Sequence, residues 1–305
     1  SFFVSLAALA LLLFAVSPTF MGHSQNNLKD VPFALAYIAG TFFIVKILFS
    51  EKNILLRDII FLVLSIAFSV SIRAGGLLLI CYLYLFFLMA FINNRIKEGR
   101  FDFNENGKRL IVITLIAAAA YFLSMLLWPF ALQSPLKNVI ESYRVMAHYP
   151  DTFRQIFEGK ADWSDFMPWY YLPKSMIITI PVIIFFGSLI LLLFSKQIYD
   201  SGKTLIYVII AITILFPLCY AVIGKSNLYS SWRHFLFVYP AIVLIAASGF
   251  NYVFDLAKKR YTRWILLAVL FLLSVHPVAF MAKNKHYYYI YYNQLVGGLR
   301  GAYGN

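Results

Sequence analysis

The chain has 305 residues, of which 62% are hydrophobic and 13% are charged, and its mean hydropathy is +0.77. This composition excludes an ordinary soluble domain and predicts an integral membrane protein. The formal net charge of +13 does not indicate a nucleic-acid partner, because many of the cations lie in short loops between apolar runs, where they set orientation and meet anionic lipid. Cys81 and Cys219 both fall within apolar runs, which favours neither a disulfide framework nor a zinc site.

About nine apolar runs follow one another along the chain, and most are about as long as the ~20 residues that cross a bilayer core. They predict an all-α fold, that of a polytopic membrane protein with about nine transmembrane helices. The third and fourth runs meet at residues 73–76, RAGG, and form either a tight hairpin or one long broken helix. The runs cover residues 1–16, 32–50, 58–72, 74–92, 110–128, 175–195, 204–222, 234–253 and 264–282.

A polar island at residues 17–32, SPTFMGHSQNNLKDVP, separates the first two runs and therefore lies at a membrane surface. One interpretation is a solvated loop in which Asp30 caps the helix that starts at Pro32. The other is the floor of an active site, because a carboxylate, a carboxamide and a cation within one turn could hold a phosphate, orient a hydroxyl or bind a metal. The side chains that would do so are Asp30, His23, Asn27 and Lys29.

The distribution of Lys and Arg predicts the orientation of the chain. If the third and fourth runs form a hairpin, four short loops on one side collect a dense set of cations, which makes that side cytoplasmic. The opposite, exterior side then receives the polar island, Arg73, residues 129–174, residues 223–233 and the C-terminal tail. The unusual polar and aromatic clusters thus share one face, which indicates a functional site there.

Residues 129–174 are too polar to cross the membrane and too aromatic for a free linker. Within them Val139, Tyr143, Met146 and Ala147 recur at helical spacing. This pattern predicts an amphipathic helix that lies on the bilayer.

Three further clusters on the exterior side could carry chemistry. Arg73 is either a partner for an anion or a residue that snorkels to the surface. The sequence MPWYYLPK forms either an interfacial belt or a stacking surface for a sugar ring or isoprenoid tail, with its lysine on a phosphate. The sequence SSWRH is typical of interfacial anchoring, or of a site in which arginine binds a phosphate or diphosphate and histidine titrates or ligates a metal. The residues of these last two clusters are Trp169, Tyr170, Tyr171, Lys174, Trp232, Arg233 and His234.

Sequence elements spread over nearly the whole chain resemble bacterial glycosyltransferase family 39 proteins, which are relatives of the protein O-mannosyltransferases in the GT-C class. These elements are SPTFMGHSQNNLKDVPFA, SIRAGGLLL, MPWYYLPKSMIITIP, SSWRHFLFVYPAIVLIAA and YYNQLVGGLRGAYGN. The resemblance implies a GT-C-like transmembrane domain at residues 1–282, with an exterior loop at residues 129–174. Residues 283–305 would then begin a truncated exterior C-terminal segment.

The function that this resemblance implies is transfer of a hexose from a polyprenyl-phosphate donor to a lipid, glycan or protein acceptor. The protein would lie among the lipids of the bacterial inner membrane with its site facing the periplasm. Asp30 and His234 would be catalytic, and the other cluster residues, Arg73 among them, would bind the substrate. The resemblance fixes no cofactor, and a divalent cation is one candidate. The main catalytic acidic residue of the class would lie upstream of Ser1, which predicts a fragment that needs further residues for activity.

Two other functions fit the same features. An O-antigen ligase or polymerase also uses exterior Arg and His residues, on a polyprenyl diphosphate substrate. A lipid or sugar transporter is a different class, which typically has broken helices and charged groups near the bilayer midplane. The charges of this chain lie mostly at the ends of the apolar runs, which favours an enzyme.

Overall fold

The computed structural model describes residues 2–49, 54–98, 103–147, 149–200 and 203–302. The regular structure is almost entirely α-helical, as the composition predicts, and includes one two-stranded antiparallel hairpin. The helices and strands in chain order are α1 (Phe2–Ala15), α2 (Pro18–Asn26), α3 (Asp30–Leu48), α4 (Leu56–Ile72), α5 (Leu77–Glu98), α6 (Phe103–Leu126), α7 (Pro129–Gln133), α8 (Lys137–Ala147), β1 (Arg154–Phe157), β2 (Lys160–Trp163), α9 (Tyr171–Thr179), α10 (Val182–Leu193), α11 (Ser195–Asp200), α12 (Thr204–Ile223), α13 (Tyr239–Leu256), α14 (Arg260–Lys283) and α15 (Gly298–Gly301).

Six helical stretches in the described ranges are long and apolar enough to cross a membrane, or up to eight if each of two bent helix pairs counts as one span. The protein therefore has the helices of an integral membrane protein. The bent pairs are α1 with α2, at 75°, and α9 with α10, at 106°. The sequence predicts about nine spans because it also counts α4, whose 17 residues fall short of the ~20 that cross a bilayer core. The six stretches are Asp30–Leu48, Ala74–Ile96, Asn106–Leu126, Thr204–Ile223, Arg233–Leu256 and Arg260–Lys283.

The chain divides into two compact units. The first unit contains Ser1–Asp30 and Asp151–Asn305, and the second unit contains Val31–Pro150. Each unit thus has its own set of packed helices.

The first unit is built around α13, which is mostly buried and packs against α10, α1 and α12. The contact with α10 is close because glycines face each other: a Cβ added at Gly249 would lie 2.0 Å from the carbonyl oxygen of Gly187. Small residues let two membrane helices approach in this way. The closely packed α10–α13 pair therefore forms the centre of the first unit.

A break at Pro181 separates α9 from α10, although the sequence predicts one continuous span at residues 175–195. The residue before a proline prefers an extended backbone, and Ile180 has φ −80° and ψ 134°. Because Pro181 has no N–H group, the carbonyl of Ile177 loses its helical partner. The amide of Asn293 replaces it: Nδ2 donates to the oxygens of Ile177, at 2.6 Å, and Ile180, at 2.8 Å.

The C-terminal tail, residues 284–302, closes over this break and over α2. Asn293 is fully buried, and its backbone N–H donates to Ile178 O at 2.8 Å. The tail also packs closely on α2, where a Cβ added at Gly22 would lie 2.6 Å from the backbone nitrogen of Tyr289. The imidazole of His276 in α14 bonds the Tyr291 hydroxyl at 3.1 Å, which ties the tail to α14.

The second unit contains α4 packed against α6, with a 3₁₀ turn at Ala74–Gly76 between α4 and α5. A Cβ on Gly76 would lie 2.4 Å from the backbone nitrogen of Val70, so this glycine permits the close backbone approach that the sequence predicts. An ion pair of 2.8 Å joins Lys46 Nζ to the buried carboxylate of Asp58.

The predicted amphipathic helix within residues 129–174 is confirmed as α8, which packs on the Ala74–Gly76 turn. The side chain of Met146 reaches to 3.5 Å from a Cβ built on Gly75. The sequence analysis missed the hairpin of β1 and β2 in the same segment.

Candidate functional site

The polar island folds into α2 and a turn that orients the carboxylate of Asp30. The Oδ1 atom of Asn27 accepts hydrogen bonds from the backbone N–H of Lys29, at 3.1 Å, and of Asp30, at 2.8 Å. Its Nδ2 donates to Asp30 Oδ2 at 2.7 Å. Asn27 therefore provides the side-chain bonds ahead of α3 that were predicted for Asp30, and the buried carboxylate of Asp30 is held in place.

Arg233 meets this carboxylate from the far end of the sequence. Its Nε lies 3.6 Å from Asp30 Oδ2, and its guanidinium lies 5.8 Å from the centre of the Tyr229 ring. The Nε atom is buried and forms no hydrogen bond within the described ranges. About a third of the side chain, 35%, is exposed. The structure thus pairs a fixed carboxylate with an arginine that has an accessible edge, which is an arrangement suited to an anionic ligand.

The backbone ahead of Arg233 is strained, and a hydrogen-bond network holds it. Ser230 and Ser231 have φ values of 58° and 59°, a left-handed conformation that costs free energy in residues with a side chain. The N–H of Ser230 donates to Gln155 Oε1 at 3.1 Å, and the N–H of Ser231 donates to the Tyr171 hydroxyl at 3.0 Å. Tyr171 in turn donates to Gln155 Oε1 at 3.0 Å, so this predicted substrate ligand positions the Arg233 loop.

His23 and Lys29 flank the Asp30–Arg233 pair on the polar island. The His23 imidazole interacts electrostatically with both Arg233 and Asp30. The centre of its ring lies 6.3 Å from that of Tyr289. The side chain of Lys29 is exposed. Of the predicted site residues, His23, Asn27, Asp30 and Arg233 therefore come together.

Trp232 and His234 flank Arg233 in sequence but have different surroundings. Trp232 is completely buried, and its indole N–H donates to Thr179 Oγ1 at 2.5 Å. It therefore anchors the loop in the core and offers no surface to a substrate in this conformation. His234 is half-buried, and its ring meets Tyr229 edge-on with 4.6 Å between centres.

Lys174 and Tyr170 both bond Glu158, in the turn between β1 and β2. Lys174 Nζ donates to Oε1 at 2.7 Å, and the Tyr170 hydroxyl donates to Oε2 at 3.1 Å. The bond from Lys174 lowers the pKa of the Glu158 carboxyl, and the bond to Glu158 raises the pKa of Tyr170. The predicted phosphate ligand Lys174 is thus paired with a carboxylate, while Trp169 next to it is exposed.

Arg73 belongs to the second unit, where it follows α4 in an extended conformation. Its guanidinium lies 5.8 Å from the centre of the Phe33 ring. This contact is a cation–π interaction, which stabilises an arginine at the end of an apolar helix.

No group of three His, Cys, Asp or Glu side chains within the described ranges could hold a metal ion.

Comparison with known proteins finds no match. No protein-family model matches the chain, and neither the curated proteins nor the solved structures contain a significantly similar one. The interpretation of the site therefore depends on the geometry of this chain.

Several residues that shape the site were not predicted from the sequence. Gln155 organises the Arg233 loop, Glu158 holds Lys174, and Tyr289 borders His23. The sequence contains one signal for them: Glu158-Gly159 between two short strands is the kind of pair found in a two-residue hairpin turn.

Proposed function

We propose that this chain belongs to a membrane glycosyltransferase that moves a sugar from a polyprenyl-phosphate donor to an acceptor on the exterior side. The observation that carries the proposal is the meeting of Asp30 and Arg233, a buried carboxylate 3.6 Å from a partly exposed arginine. Such a transferase needs a group that binds a phosphate and a group that accepts a proton, side by side. The resemblance to glycosyltransferase family 39 proteins includes both residues.

The proposed reaction is an inverting displacement at the anomeric carbon of the sugar. The acceptor hydroxyl attacks this carbon and loses its proton to a carboxylate, for which Asp30 is the candidate in this chain. The bond from the anomeric carbon to the phosphate oxygen breaks, and polyprenyl phosphate leaves with the electron pair. Arg233 stabilises the negative charge on the leaving phosphate. His23, which interacts electrostatically with both Arg233 and Asp30, is a candidate to assist proton transfer, and so is His234, which follows Arg233 in the sequence.

Binding of the donor phosphate would change the arrangement around Arg233. In the structure the guanidinium faces Asp30 at 3.6 Å, beyond hydrogen-bond distance. A phosphate would compete with Asp30 for Arg233, since both are anions. Donor binding would thus free the carboxylate for the acceptor, which couples the two substrates.

The test is release of polyprenyl phosphate by the whole protein reconstituted in vesicles with a panel of polyprenyl-phosphate sugars. One donor should be turned over. Arg233→Lys keeps the charge but loses the fork of donors, and Asp30→Asn keeps the shape but loses the negative charge. Each should lower turnover by roughly tenfold or more, as expected for loss of a charge-assisted hydrogen bond worth about 1.5–3 kcal/mol.

The matched control is Arg263→Lys, because the Nε of Arg263 bonds a backbone oxygen at the start of α14, Ala257 O, at 2.9 Å. This change should leave turnover unaltered. Equal activity of the wild type, Arg233→Lys and Asp30→Asn would refute the proposed site. Turnover of a diphosphate-linked oligosaccharide instead would favour a ligase or polymerase.

A transporter is the second candidate, and the two bent helix pairs favour it. Helices broken by 75° and 106° are the elements from which transporters build substrate sites. Movement of a labelled donor across the vesicle membrane without release of polyprenyl phosphate would support this function and overturn the transferase.

The proposal also includes the location of the site, on the periplasmic side of a bacterial inner membrane. Gln25 is an exposed residue on the predicted exterior side, and Lys203 is an exposed residue on the predicted cytoplasmic side. In a cysteine-free background, Gln25→Cys should react in intact cells with a thiol reagent that does not cross the membrane, and Lys203→Cys should not. The reverse pattern would place the site in the cytoplasm.

A further inference from the structure

The hairpin has two faces with opposite environments. The register pairs Arg154 with Trp163 and Ile156 with Ala161. Because side chains alternate along a strand, these four residues share one face, while Gln155 and Phe157 lie on the other. The turn at Glu158-Gly159 has φ values of 53° and 73°, as a tight two-residue turn requires.

The face with Gln155 and Phe157 is fixed to the protein. Phe157 is buried, and its ring centre lies 5.0 Å from that of Tyr171. Gln155 Nε2 donates to Leu228 O at 2.8 Å, and Glu158 in the turn bonds Lys174. The hairpin therefore cannot rotate about its long axis, and the opposite face points away from the protein.

This opposite face is exposed, and apart from Arg154 its side chains are apolar. Ile156 is 64% exposed and Trp163 is 50% exposed. Phe166 and Trp169 follow in sequence, between the hairpin and α9, with 70% and 72% of their surfaces exposed. These four side chains, Ile156, Trp163, Phe166 and Trp169, are called the aromatic face. Three of them are large rings that a soluble surface would normally bury.

We propose that the aromatic face lies in the interfacial layer of the lipid bilayer and holds the hairpin at the membrane surface. The argument is continuity: α9 begins at Tyr171, two residues after Trp169, and α9 with α10 is apolar enough to cross a membrane. The hairpin therefore stands at the level where that segment enters the bilayer. Tryptophan rings favour this layer because they have an apolar body and a polar N–H.

The charged residues of the hairpin indicate whether anionic headgroups contribute to the membrane contact. Glu158, Asp162 and Asp165 outnumber Arg154 and Lys160 in residues 154–166. The hairpin is thus slightly acidic overall, and its exposed face carries one charged residue, Arg154, so anionic headgroups contribute little to the contact. The contact depends on the rings and on Ile156, so it should be insensitive to salt and to anionic lipid.

The experiment measures tryptophan quenching by brominated phosphatidylcholine in vesicles that contain the whole protein. Trp128→Phe and Trp264→Phe remove two of the five tryptophans and leave Trp163, Trp169 and the buried Trp232. A matched variant with Trp163→Phe and Trp169→Phe in addition reports the baseline from Trp232. Both changes affect exposed rings, and circular dichroism checks that the helices remain.

Lipid brominated near the headgroup end of its acyl chains should quench the pair Trp163 and Trp169 roughly twofold more than lipid brominated near the chain end, because interfacial residues lie about 5–10 Å into the headgroup boundary. Adding salt or phosphatidylglycerol should not change this ratio. Quenching equal to the Trp232 baseline, with strong quenching by aqueous iodide, would refute membrane contact. Protection from iodide by an added oligosaccharide or by a second copy of the chain would likewise overturn the proposal in favour of that partner.

Discussion

The buried amide of Asn293 should contribute strongly to the stability of the tail. Asn293→Ala removes two donors, to Ile177 O at 2.6 Å and to Ile180 O at 2.8 Å. Pro181 offers Ile177 no N–H, so the freed carbonyl has no helical substitute. A buried acceptor left without a partner costs about 1–3 kcal/mol. Loss of the partner of both carbonyls therefore predicts that opening of the tail from the α9–α10 break becomes easier by about 2–6 kcal/mol.

Hydrogen exchange of the tail amides in detergent micelles measures this free energy, because exchange reports local opening. The backbone N–H of residue 293, which donates to Ile178 O at 2.8 Å and is retained in the variant, should exchange much faster. The matched control is Asn284→Ala, since the amide of Asn284 makes one bond, to Phe280 O at 2.9 Å, at a half-buried position. Equal exchange of the tail in the Asn293 and Asn284 variants would refute the reasoning.

Three other predictions follow from close contacts and from one ion pair. Gly76→Ala would place a Cβ 2.4 Å from backbone atoms and should lower the midpoint of thermal unfolding, with a cost of about 1–3 kcal/mol. Gly75→Ala should be tolerated, because its Cβ would meet side-chain atoms at 3.5 Å or more; similar midpoints for both variants would contradict this. Gly249→Ala should separate α10 from α13 and reduce a disulfide crosslink engineered between them; an unchanged crosslink yield would count against it. The Lys174 bond lowers the pKa of Glu158 below its ordinary 4.5, so protection of the hairpin amides should be highest above pH 4.5 and fall as the pH drops through that lowered pKa. In Glu158→Gln it should be lower above pH 4.5 and independent of this titration; protection equal to that in the wild type would exclude a contribution of the ion pair.

The sequence predicts the helices well because their length and composition are local properties. A run of apolar residues forms a helix in a membrane since every backbone group must be satisfied within the segment. The break at Pro181 was visible in the sequence but was predicted as part of one span. What decides it is a distant partner: Asn293 supplies the hydrogen bonds that let the chain bend there.

The candidate site was predicted in its composition but not in its pairing. The positive-inside rule places Asp30 and Arg233 on one side of the membrane, yet it cannot show that their side chains meet at 3.6 Å. Nor can it separate Arg233 from its neighbour Trp232, which is buried against Thr179. Trp232 directly precedes a 3₁₀ helix that covers Arg233–Val238. The two neighbouring side chains differ in surroundings, one a partly exposed arginine and the other a buried anchor.

The same network that holds Arg233 also holds the hairpin, and this links the two proposals. Gln155 on β1 bonds Ser230 ahead of Arg233, and its neighbour Ile156 points the other way, into the aromatic face. If the aromatic face binds the bilayer, this contact sets the distance of β1 from the membrane surface. Through the bond from Ser230 to Gln155 it then also sets the position of the Arg233 loop. A phosphate on a lipid carrier lies at the same interface. Arg233 would therefore lie at the membrane depth of the donor phosphate. This would explain why a membrane enzyme has a short, aromatic hairpin next to an anion site.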